Sequence, residues 1–167
     1  YASTGDYVLT AVDEFPRPIP DPRPDVILLD FAREKNLRIG SRPSIDVPAF
    51  DAADISSAYQ GTTDEMTARI VARVREDFVA YDVTIVSTSE GAEYDGKMSR
   101  IHFGTFDPAL LGVAEGVDEF NAANAQQAIV FTDTFSAFMP LAPSVADMAQ
   151  ALANVASHEI GHLLGLV

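Results

Sequence analysis

The chain contains no cysteine, so no disulfide framework holds it together and its fold must rest on packing. Lysine is scarce as well, with only Lys35 and Lys97 in 167 residues; 11 basic side chains face 25 acidic ones, for a formal charge of −14. Nucleic acid and anionic membrane surfaces both require a basic footprint, so neither is expected as a partner. No apolar run is long enough to span a bilayer. A leader with a charged start and an apolar centre is also missing, since the chain opens at Tyr1; with the leader read as removed or absent, a secreted or extracellular location is expected. What is present is apolar content of 47%, enough for one well-packed domain with room for an appendage. The acidity has three readings: a solvated surface, carboxylates gathered around calcium, or adaptation to a salt-rich habitat.

Residues 15–25 place a proline at every second position from Pro16 to Pro24. Such a run joins neither a helix nor a sheet ladder and reads as a semi-rigid spacer, which divides residues 1–14 from a main unit over 26–167. Ahead of it, Gly5 to Val12 reads as a strand. Two origins stand open for that strand, the end of a preceding β-sandwich module or an addition to the edge of the main sheet.

Past the spacer, Val26 to Phe31 is an apolar run suited to a buried strand, and residues 32–61, with Pro43 and Pro48, read as irregular. Thr62-Thr63-Asp64-Glu65 has the form of a capping box, and Met66, Ile70, Val74 and Phe78 recur every fourth residue as the buried stripe of a helix. Further strands are expected at Val83–Val86, Arg100–Phe103 and Ala128–Thr132, with a brief edge strand at Gly112, Val113, Ala114 and Glu115. Ser144 to Asp147 should cap a last helix whose Val145, Met148, Leu152, Val155 and Ala156 keep helical spacing. This mixture of strands and helices is of the α/β (α+β) class. Between the last two strands, Asp118, Glu119, Asn121 and Asn124 make an oxygen-rich loop that could serve calcium or simply face solvent.

The last helix carries the chemistry. His158-Glu159-Ile160-Gly161-His162 is an HExxH motif, and on a helix its two histidines project from one face, close enough to share a metal ion such as zinc. Glu159, beside the first imidazole, is placed to act as a general base without being a ligand. Gly165 permits a sharp exit from the helix. The third histidine, His102, alternates with Ile101 and Phe103 along a strand and is read as a structural residue on the opposite face.

His158 to Gly165 together form HExxHxxG, which resembles the zinc helix of the metzincin clan of metallopeptidases, and Glu76-Asp77-Phe78 with Tyr81-Asp82-Val83 is similar to bacterial, matrixin-like members. The resemblance covers roughly residues 26–167. It implies a zincin-like mixed twisted sheet of about five strands with two long helices, the second bearing the motif. It also implies zinc as cofactor, a peptide or protein substrate laid along the Gly112–Glu115 edge strand, and peptide-bond hydrolysis with Glu159 as base. The clan's third ligand would fall at position 168, just beyond Val167, and Met66, Met98, Met139 and Met148 all precede the motif, so no Met-turn follows it. The chain is therefore expected to be the N-terminal subdomain of such a catalytic domain, inactive or nearly so by itself. A noncatalytic binding module derived from a degenerate peptidase is the rival expectation. A gluzincin, with a distant carboxylate ligand, is a third and leaves Gly165 without a reason.

Overall fold

The computed structural model describes residues 25–118, 123 and 125–166. The expected strand at residues 5–12, the proline spacer up to Pro24, and Glu119, Asn121 and Asn124 lie outside the described residues.

Ile27-Leu28-Leu29 has no polar alternation because both faces of its strand are covered, as in the centre of a parallel sheet. This strand, β1 (Asp25–Asp30), is followed by a short antiparallel pair, β2 (Glu34–Leu37) and β3 (Ile45–Val47). A single helical turn, α1 (Ala52–Ile55), leads into the long helix α2 (Thr63–Asp77). After it come β4 (Val83–Ser87), β5 (Ser99–Phe103), β6 (Gly112–Ala114) and β7 (Gln127–Val130), then the motif helix α3 (Val145–Leu163). The main sheet has the order β4-β1-β5-β7-β6, with β6 the one antiparallel member and an edge. The fold is thus mixed α/β, with a five-stranded, mostly parallel sheet and three α-helices among the described residues. None of those helices is long and apolar enough to cross a membrane.

Both long helices pack on one face of the sheet. There the expected stripe of Met66, Ile70, Val74 and Phe78 is buried against Met148, Leu152 and Ala156 of α3 and against Ile27, Leu29, Ile101 and Phe103 of the strands. Ala149 and Ala153, also buried, keep the side chains between α3 and its neighbours short. The other face is covered by the β2–β3 pair, whose Leu37 and Val47 pack with Ile39 on Ile129, Phe131 and Val113.

The structure corrects three expectations. Residues 32–61 are not irregular: they hold β2, β3, α1 and a 3-10 turn at Ser57–Tyr59. Their strands escape pattern reading because Glu34-Lys35-Asn36-Leu37 buries only its last residue fully, and Asn36 takes a left-handed backbone (φ 54°) where the register shifts. The capping box at Thr62 does not form. The Thr62 hydroxyl donates to the Tyr59 carbonyl (2.8 Å), while the Thr63 hydroxyl donates to Asp51 (2.8 Å) and accepts from the Ala52 amide (3.1 Å), so the start of α2 is tied to α1 instead of capping itself. The third is the last strand, which ends at Val130 because Thr132 already begins a 3-10 stretch running to Leu141. At Ser144, by contrast, the reciprocal capping box with Asp147 is made as expected.

Candidate functional site

Helix α3 runs from its Ser144 cap across the sheet and delivers the motif beside the β6 edge. One helical turn separates His158 from His162, and their Nε2 atoms lie 3.1 Å apart with the rings nearly perpendicular, at 81°. Two Zn–N bonds of ~2.0–2.1 Å meeting at roughly 100° span that gap, so the pair fits two corners of a tetrahedral ion. His158 is exposed and His162 half-buried, which leaves the outer side of the pair open.

The end of the helix sets the tautomer of His162. Gly165 adopts φ 88° and its amide donates to the His162 carbonyl (3.0 Å), while the Leu166 amide donates to Gly161 (2.8 Å). This is the Schellman arrangement, in which a left-handed residue just past the helix satisfies its last carbonyls. The reversal brings the Leu166 carbonyl to 2.9 Å from His162 Nδ1. A carbonyl only accepts, so Nδ1 carries the proton and Nε2 is left with the lone pair that a metal requires.

Glu159 is buried, at the wall of the cleft that the two histidines also line. It is only 5% exposed, and burial pushes its carboxyl above the ordinary carboxylate range, opposed by the nearby His158 and His162 and by a hydrogen bond from the Ala114 amide. Among the described residues Glu159 does not join the two imidazoles in a compact three-donor cluster, which suits a base and not a ligand. Its place depends on Gly112: a Cβ there would stand 2.7 Å from Glu159 Oε1 and 2.8 Å from Val155 Cγ1.

The four residues of the expected edge strand do not act alike. The Leu111 carbonyl accepts from the Phe131 amide and the Glu115 amide donates to the Gln127 carbonyl, both on the β7 side, so pleating turns the backbone polar groups of Gly112 and Ala114 outward. Val113 packs its half-buried side chain on the hairpin face, and the Glu115 carboxylate accepts from the Gln127 amide (3.1 Å). Between this edge and the motif lies an open cleft of about 310 Å³, lined by Leu110, Gly112–Ala114, Gly116, Val117, His158, Glu159 and His162. The Asp118 amide donates to the His162 carbonyl (3.0 Å), fastening the loop after β6 to the end of α3. The Asp118 carboxylate accepts from the Ala123 amide (2.8 Å), so one of its oxygens serves the loop's own backbone.

One group was not expected. Asp30, Glu34 and His102 bring ligand-type atoms within 4.8 Å of one another on the hairpin side of the sheet. The sequence signal was the alternation of Arg100 and His102 on one strand face, but their partners come from β1 and β2 and require the strand order. Burial, aided by the positive Arg100, lowers the His102 pKa and keeps the ring neutral, against the opposing pull of Asp30, Gln127 and Glu34. Compared with protein-family models, curated proteins and solved structures, the chain matches none.

Proposed function

We propose that the chain contributes the zinc helix and the substrate-bearing edge of a secreted, metzincin-like zinc endopeptidase, with a zincin-like sheet. The observation that carries this reading is the pairing of His158 and His162 Nε2 atoms at 3.1 Å beside an exposed sheet edge and a non-ligand carboxylate. Zinc, when bound, supplies a Lewis acid that acidifies a water and polarises the scissile carbonyl. His158 and His162 provide two of the three protein ligands that catalytic zinc takes, and position 168 is the expected source of the third. Gly112 and the carbonyl of Ala114 offer outward backbone groups that hold an extended peptide against β6, an interaction that reads main chain more than side chain. The Ala114 amide, meanwhile, keeps the Glu159 carboxylate at the cleft wall, where it takes the proton of the attacking water and returns it to the leaving amine.

The test uses the chain together with whatever its gene encodes after Val167. Zinc content and cleavage of an unstructured protein substrate are measured for the unmodified protein, Glu159→Ala and His162→Ala. Glu159→Ala should retain zinc and lose cleavage by ~10²–10⁴-fold, and His162→Ala should lose both. Undiminished cleavage by Glu159→Ala would falsify the role given to that residue. Absence of cleavage by the unmodified protein, with zinc bound, would favour a noncatalytic binding module.

A further inference from the structure

The helix motif uses neither Asp30, Glu34 nor His102, which lie across the sheet from it. His102 is wholly buried, and its Nε2 is 3.2 Å from Gln127 Oε1, an atom that only accepts. The proton of the neutral ring therefore sits on Nε2, and Nδ1 presents a lone pair. That lone pair is buried, has no hydrogen-bond partner, and faces Asp30 Oδ2 at 3.8 Å, too far for a hydrogen bond. Two electron-rich atoms facing each other inside a protein call for a cation between them.

Arg100 meets only part of that demand. A single nitrogen, Nη2, serves both Asp30 (2.5 Å) and Glu34 (2.6 Å), and Nε, also buried, has no partner. Its guanidinium lies over the Tyr94 ring at 4.4 Å, a second resting place for a positive charge. Arg100 thus balances the carboxylates without reaching the imidazole.

We propose that Asp30, Glu34 and His102 form a second divalent-metal site that pins the β2 end of the hairpin to the main sheet, and that Arg100 is the cation the metal displaces toward Tyr94. One imidazole nitrogen with two carboxylate oxygens is a donor set for a first-row ion such as zinc or manganese, whereas calcium takes oxygens alone.

The experiment starts from the full chain with His158→Ala and His162→Ala, which removes the helix ligands and leaves the proposed site. Zinc is titrated calorimetrically while the His102 ring resonances are followed by NMR. Saturable binding of one zinc per chain with displacement of the His102 signals is expected, lost when Glu34→Gln is added and tightened when Arg100→Gln is added. Glu34 is partly exposed, so its substitution leaves the fold in place, as far-ultraviolet circular dichroism would verify. No saturable uptake by the double variant would overturn the proposal, as would uptake that Glu34→Gln leaves unchanged or that does not move His102.

Discussion

His158 and His162 share one helix and stand beside an open cleft, whereas His102 is sealed on the far face of the sheet among Asp30, Glu34 and Arg100. The first pair costs the fold little, because water can serve the rings when nothing else does. The second group is in a low-dielectric setting where every charge must be matched, so Arg100 belongs to it as much as the acids do. Orientation differs in the same way. The His162 ring is set by a carbonyl four residues along the chain, and the His102 ring by Gln127 from a neighbouring strand.

The largest expected effect breaks the buried group. Arg100→Met leaves two carboxylates unpaired and should cost ~3 kcal/mol, roughly 6–12 °C in thermal midpoint without metal, with part of the loss recovered on adding zinc. An equal charge removal at exposed Arg69, paired with Glu65, should cost well under ~1 kcal/mol in the same melt.

Next comes the wall of the cleft. Gly112→Ala should cost ~1–3 kcal/mol, because Val155 is a stiff neighbour, and it should displace Glu159 and depress any cleavage beyond what the stability loss explains. Gly116→Ala, where an added Cβ meets nothing within 4 Å, is the control, and equal behaviour of the two variants would sink the positioning role of Gly112. At the helix exit, Gly165→Ala forces a side chain into the left-handed region at about 1–2 kcal/mol. It should also release His162 Nδ1 from the Leu166 carbonyl, visible as a changed His162 tautomer ratio by nitrogen NMR. The smallest pair compares two helix starts: Ser144→Ala should cost ~1 kcal/mol through its lost cap, measured by denaturant midpoint, and Thr62→Ala clearly less, because it caps nothing.

These contrasts follow the distance over which each feature is specified. The stripe of α2, the cap of α3, the strands at Ile27–Leu29 and Ile101–Phe103 and the facing imidazoles all depend on residues within a turn or two of one another, and their spacing was readable. The β2–β3 pair was not, since Glu34 to Leu37 carries little apolar alternation and pairs through a register shift. Thr62 misled for a related reason: its local pattern promised a cap, but Tyr59 and Asp51 offered the hydroxyls of Thr62 and Thr63 other partners.

The amino-acid sequence by itself determined the helix that holds His158, Glu159 and His162, the face the two histidines share and the turn at Gly165, because helical periodicity and a left-handed glycine act over a few residues. Only the tertiary structure decided that Gly112 must lack a side chain, that Glu159 turns to the Ala114 amide, and that Asp30, Glu34, Arg100 and His102 meet. Those contacts join strands and helices far apart in the chain, and what brings them together is the order in which the sheet buries its apolar faces.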